Sequence, residues 1–171
     1  MPVSRNKPPP PPENLPLLTA PPPSLDSVTF GTPTRLLVTP HDLELFQASP
    51  TYSLLLHFVT DLNNSVLNRP SSFPAHISPL VASLLDILDK VAALIPEFPP
   101  EEAEGSRFGN KSFVSFYDAV WERSAEWHKG ILDSLPEGAI PEVTRYFCEA
   151  FGNRTRIDYG SGHELNFIAW M

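Results

Sequence analysis

Cysteine is almost missing, with Cys148 alone among 171 residues. A single thiol excludes an internal disulfide framework and any zinc or iron–sulfur site built from several cysteines, and it suits a reducing compartment. Basic residues are also scarce, 12 Lys+Arg against 20 Asp+Glu for a net charge of −8, and they form no cluster. Nucleic-acid binding needs the opposite sign along one face, so no nucleic-acid partner is expected. No stretch reaches the ~20 apolar residues of a membrane span. The start Met1-Pro2-Val3-Ser4-Arg5 runs into prolines without the apolar segment of a secretory leader. The expectation is a soluble intracellular chain with no membrane partner, in which glycosylation-type triplets at Asn63, Asn110 and Asn153 carry no weight. Glycine is thin as well, yet three of the eight glycines fall at 152, 160 and 162.

Proline is what the chain has in excess. Twelve of the 21 prolines lie in the first 40 residues, with runs at Pro8–Pro12 and Pro21–Pro23. Residues 1–33 carry almost no charge and cannot bury a core, so a disordered arm with polyproline-II character is expected, followed by a helical domain from 34 to 171. Beyond the arm, Thr39-Pro40, Ser49-Pro50 and Ser78-Pro79 each read as an N-cap with proline at the first helical position. The second helix puts Tyr52, Leu55, Leu56, Val59, Leu62 and Val66 on one stripe and stops at Arg69-Pro70. The third carries Leu80, Leu84, Ile87, Leu88, Val91 and Ile95 on one face with Val81, Leu85 and Ala92 beside it, a width that predicts burial between neighbours. Asn110 or Ser112 opens a long aromatic helix, Pro141 a shorter one closed by Gly152-Asn153, and the Gly160–Gly162 turn leads into a last helix. No segment alternates with the period of a strand, and the fold class is all-α with about six helices.

The chemistry concentrates between Gly152 and Glu164. Backbone amides at a helix start, freed of Cβ atoms at Gly160 and Gly162, can approach an anion closely, with Ser161 adding a hydroxyl and Arg156 a cation. The alternative is that the two glycines only permit a tight loop-to-helix turn. Nucleotide fingerprints do not fit, because Leu165 stands where a dinucleotide loop needs its third glycine and no Gly-Lys-Ser/Thr is present. Asp158, His163 and Glu164 place two carboxylates and an imidazole within seven positions, a set suited to acid–base work or to a divalent cation. Equally, Asp158 caps the turn and Glu164 sits in the first helical turn, where the dipole favours a carboxylate. Phe167 replaces the second histidine of a zinc-protease helix and excludes that class. A second charged turn, Ser106-Arg107-Phe108-Gly109-Asn110-Lys111, offers Arg107 and Lys111 to a phosphate or carboxylate, or simply to solvent. Cys148, among Val143, Phe147 and Phe151, reads as a buried inert thiol, and His41, His57, His76 and His128 show no ligand spacing.

These two turns carry a resemblance. Ser106–Lys111 together with Arg156-Ile157-Asp158-Tyr159-Gly160-Ser161-Gly162-His163-Glu164 resembles the phosphotyrosyl phosphatase activator family, the activators of protein phosphatase 2A. Pro33-Thr34-Arg35, Leu88-Asp89-Lys90 and Pro141-Glu142-Val143 support it, fungal members match best, and the likeness runs from about Thr32 to Met171. The resemblance implies an all-α fold with a cleft at the glycine motif, of which this chain would be an N-terminal portion. It also implies a cytoplasmic location with the nucleus as a second compartment. The implied function is activation of the phosphatase 2A catalytic subunit, with ATP and magnesium at the shared interface, together with peptidyl-prolyl cis/trans isomerisation of proline-containing segments. Asp158, Gly160 and Gly162 would be needed for activity, with His163 and Glu164 beside them, and Arg107, Tyr159, Ser161 and Gly162 would face the nucleotide. Family members usually continue the Phe-Gly-Asn turn with an arginine and a tryptophan, where this chain has Val114 and Phe116. Two other classes of function are a non-catalytic helical scaffold whose proline-rich arm docks on aromatic grooves of a partner and a truncated product without function.

Overall fold

Serine or threonine followed by proline starts three helices, as the sequence predicts. Thr39 is extended at φ −111° and ψ 160°, and its hydroxyl accepts from the N–H of Asp42 while the Asp42 carboxylate accepts from the N–H of Thr39, which closes a capping box. Those bonds, led by the one from the Thr39 backbone, hold the Asp42 carboxyl below its usual range. Ser49 and Ser78 accept from the N–H groups of Tyr52 and Val81 in the same way. In each case proline fills the first helical position, where its missing N–H costs nothing.

The structure is a computed structural model that describes residues 24, 27–74, 76–102, 109–129, 131 and 136–171. The proline runs of the arm and Arg107 lie outside the described residues. Among the described residues six α-helices occur in order: α1 Pro40–Gln47, α2 Pro50–Val66, α3 Pro79–Leu94, α4 Ser112–Lys129, α5 Ile140–Glu149 and α6 Ser161–Trp170. Among the described residues there is no strand, only a bridge between Asn153 and Asp158.

The described residues fall into two units. One runs from Arg35 to Ser71 and contains α1 and α2, whose turn is closed by an edge-on contact of Phe46 with Tyr52 at 5.5 Å. Helix α2 stops at Val66, ahead of the Arg69-Pro70 stop, because Leu67 is already extended and Asn68 turns left-handed at φ 60°. Its apolar stripe is only partly covered, with Val66 64% exposed.

The other unit holds the segment before Arg35 and everything from Ser72 onward, including α3 to α6. Helix α5 packs between α4 and α6, and α3 lies on α4. Phe147 is fully buried at the centre, 5.1 Å from the ring of His128, 5.0 Å from Phe151 and 4.8 Å from Trp170. Ile87, Val91 and Leu94 bring α3 into this core, Tyr117 and Val120 bring α4, and Cys148 completes it. The full width of the α3 stripe is not buried. Ile87, Val91 and Leu94 are buried and Leu84 and Leu88 are half-buried against the same core, while Leu80, Val81 and Leu85 stay exposed.

Candidate functional site

Helix α5 ends at Glu149, and Gly152 then takes φ +127°, a conformation that L side chains rarely adopt. A Cβ there would also meet the carbonyl oxygen of Asp158 at 3.0 Å, so this position needs glycine twice over. Asn153 organises the loop beyond it. Its N–H donates to the Asp158 carbonyl at 3.0 Å, its carbonyl accepts from Ile157 at 2.8 Å, and its side-chain oxygen accepts from Thr155 and Arg156 at 3.1 and 2.8 Å. Loop 153–158 is thus closed on itself by one asparagine, the local role for which Asn is favoured in turns.

Three ties then fix the loop to its unit. Arg154 grips Asp118 of α4 with both ends of its guanidinium, Nε at 2.5 Å and Nη2 at 2.6 Å, and the bonds hold the Asp118 carboxyl below its usual range. The Nδ1–H of His163 donates to the carbonyl of Glu149 at 2.6 Å, using one of the orphan carbonyls at the end of α5. Ile157, left-handed at φ 53°, packs its carbonyl and Cγ2 against Gly109 so closely that a Cβ on that glycine would overlap both. The two turns singled out in the sequence are therefore in contact. Asn110 from the first and Ile157, Asp158 and Tyr159 from the second line one cavity of about 270 Å³, floored by Phe113 and Phe151.

Asp158, Tyr159, Gly160, Ser161 and Gly162 form a continuous exposed run. Arg156 is not free to meet an anion as the sequence allows, because its Nε and Nη2 bond the Asp158 carboxylate at 2.7 and 3.2 Å. Tyr159 stacks on His163 with ring centres 5.5 Å apart and is 60% exposed. Gly160 caps α6 from an extended φ of −165°, and the N–H groups of Ser161 and Gly162 find no acceptor among the described residues. A Cβ at Gly160 or Gly162 would meet nothing within 4 Å, and neither has a positive φ. Neither packing nor backbone conformation within this chain requires glycine at these two positions. No three His, Cys, Asp or Glu residues group as metal ligands among the described residues.

A neighbouring groove of about 400 Å³ was not foreseen. Tyr117 and Trp121 stack along its floor with ring centres 6.4 Å apart, Arg145 lies 5.4 Å over the Trp121 ring, and Arg145 pairs with Glu149 at 2.9 Å. Burial pushes the Tyr117 hydroxyl up to about 12, so it stays protonated. The α4 positions 117, 118 and 121 share one face at helical spacing, which was the available signal.

Helices around a glycine loop that is pinned on three sides agree with the likeness carried by the two turns. The chain belongs to the phosphotyrosyl phosphatase activator family: residues 33–171 match the family described as Phosphotyrosyl phosphate activator (PTPA) protein. It is 47% identical over 154 residues to a Serine/threonine-protein phosphatase 2A activator 2 of Neurospora crassa, covering 88% of this chain and 34% of the relative. A protein of the same name from Gibberella zeae is 44% identical over 158 residues, with coverages of 91% and 36%. The crystal structure of the PP2A phosphatase activator Ypa1 PTPA1 superposes with a TM-score of 0.73 at 29% identity, over 83% of this chain and 46% of that one. The all-α class is the one expected. The chain spans about a third of the length of these curated relatives.

Proposed function

We propose that this chain serves the activation of serine/threonine-protein phosphatase 2A, presenting residues 158–162 and the start of α6 to the phosphatase catalytic subunit. The names of the relatives support a phosphatase partner. The observation that carries the reading is the open space over Gly160 and Gly162, two glycines that neither backbone conformation nor packing within this chain demands. Missing side chains on a rigidly held exposed surface let another molecule come within contact of the backbone.

The donors at that surface suit a nucleotide. Two N–H groups with no acceptor among the described residues at the start of a ten-residue helix, the Ser161 hydroxyl and the helix dipole favour phosphate oxygens, and the exposed face of Tyr159 suits a base. ATP would be held there by Tyr159, Ser161 and Gly162, with Arg107 outside the described residues as its cation. Magnesium would travel on the phosphates, since it needs only one or two carboxylates besides them. The nucleotide would supply charge for the catalytic subunit to bind against, while this chain's residues position it.

Peptidyl-prolyl isomerisation belongs to the same proposal. The X–Pro bond faces a barrier of ~18–20 kcal/mol from amide resonance, and a surface that desolvates the carbonyl and donates to the prolyl nitrogen lowers it without a nucleophile. His163, held by the Glu149 carbonyl and the Tyr159 ring, and the exposed Glu164 would flank such a peptide. The test is Gly162→Ala together with Asp158→Gly in the full chain. Binding to the catalytic subunit and ATP·Mg-dependent activation are expected to drop at least ~10-fold, a loss of about 1.4 kcal/mol. Both melting temperatures should stay near wild type. Activation unchanged in both variants overturns the assignment.

A further inference from the structure

We propose that Thr32 is a phosphorylation site for a proline-directed serine/threonine kinase, and that the phosphate frees the segment around Gly31 from α5. The chain has four Ser/Thr-Pro dipeptides, at Thr32, Thr39, Ser49 and Ser78. A kinase selecting proline after the acceptor exploits the missing N–H of that residue and needs an unhelical stretch on both sides. Thr39, Ser49 and Ser78 do not offer that. Each is a helix N-cap whose hydroxyl accepts from an amide in the first turn, at 3.2 Å in all three cases, and each following proline is already helical.

Thr32 differs in every respect. It is exposed, lies in a stretch from Val28 to Val38 with no helix or turn, and its hydroxyl has no partner among the described residues. Pro33 further biases it toward an extended backbone.

The neighbouring residue gives the phosphate its effect. The N–H of Gly31 donates to the carboxylate of Glu142 in the first turn of α5 at 3.0 Å, a contact across 111 residues of sequence. In the transfer, the Thr32 hydroxyl oxygen bonds the γ-phosphorus of ATP, the bond to the leaving ADP oxygen breaks, and the hydroxyl proton goes to the kinase base. The product places nearly two negative charges one residue from the atom bonded to Glu142. Like charges that close repel within the Debye length, and the Gly31–Glu142 bond is the contact that yields.

The experiment treats the full chain with a cyclin-dependent kinase and ATP·Mg, maps phosphate by tandem mass spectrometry, and reads the Gly31 amide by hydrogen exchange. The expected result is modification at Thr32, lost in Thr32→Ala, and about tenfold less at Thr39, Ser49 and Ser78, whose caps must break first. Gly31 exchange should accelerate several-fold on phosphorylation. Glu142→Gln keeps an acceptor without the charge, so the phosphate should accelerate exchange little there. No phosphate at Thr32 while a control peptide is modified, preferential modification of the caps, or Gly31 exchange indifferent to the phosphate would each overturn the proposal.

Discussion

The indole N–H of Trp170 donates to Nε2 of His128 at 2.8 Å inside the core, and His128 Nδ1 in turn meets the Ser124 carbonyl at 2.6 Å. Since the carbonyl can only accept and the indole can only donate, His128 is neutral with its proton on Nδ1. Burial, the larger influence, lowers its affinity for a second proton below the ordinary value of 6.5, although the Ser124 bond opposes the shift. The unfolded chain therefore binds that proton more readily than the folded one. Stability should be complete above about pH 6.5 and fall as the pH drops from there through the lower folded value. Urea melts from pH 7.5 to 5 should show this slope in wild type and lose it in His128→Gln; identical slopes would exclude His128 as its source.

Removing the donor has its own signature. Trp170→Phe keeps an aromatic beside Phe147 but leaves Nε2 of His128 buried without a partner, at a cost of ~1–3 kcal/mol. Denaturant midpoints at pH 7.5 measure it, and a shift below about 0.5 kcal/mol would mean that water replaces the indole.

Gly109 and Gly160 look alike in sequence and should behave in opposite ways. Gly109→Ala would drive a methyl into the backbone and side chain of Ile157, and ~1–3 kcal/mol of stability should be lost. Gly160→Ala meets open space and should leave the melting temperature unchanged. Equal stability of the two variants would show that the turn at 109 relaxes freely.

Asp118→Asn should loosen the glycine loop without unfolding its unit. The Arg154–Asp118 pair is about half exposed, so it contributes little to global stability, but it spans 36 positions and ties the loop to α4. Amide exchange at Thr155–Ile157 should rise several-fold, and high salt should do the same to wild type. Unaltered exchange in the variant would assign the loop's order to Asn153 alone.

Cys148 should be inert. Burial pushes the thiol up to about 11, against the opposing influence of its bond to Ser124. Labelling by a disulfide reagent at pH 8 should be at least ~100-fold slower in the folded chain than in urea, from the loss of thiolate alone. Rapid labelling under native conditions would place the thiol at the surface.

What the sequence discloses is local. The Ser/Thr-Pro caps, the asparagine before α4 and the glycine that ends α5 act within four residues, and all appear where their chemistry puts them. The glycine loop reads as a site because its residue types are unusual there. The ties that join the site together are not local: Arg154 to Asp118, Gly109 to Ile157 and Trp170 to His128 depend on how helices pack, and no periodicity encodes the partner. The same reason explains α3. An apolar stripe states what can be covered, not what is: Leu84, Ile87, Leu88, Val91 and Leu94 meet the core of this unit, and Leu80, Val81 and Leu85 do not.

The seat of Ile157 on Gly109 has a historical consequence. A β-branched residue held left-handed costs ~1–2 kcal/mol, and it faces a position that admits no side chain. The constraint is one-sided: position 109 cannot gain a side chain while Ile157 keeps its seat, whereas position 157 can change alone to a residue that tolerates the left-handed turn. Across descendants, glycine should therefore persist at 109 while 157 varies, and any side chain at 109 should follow a change at 157.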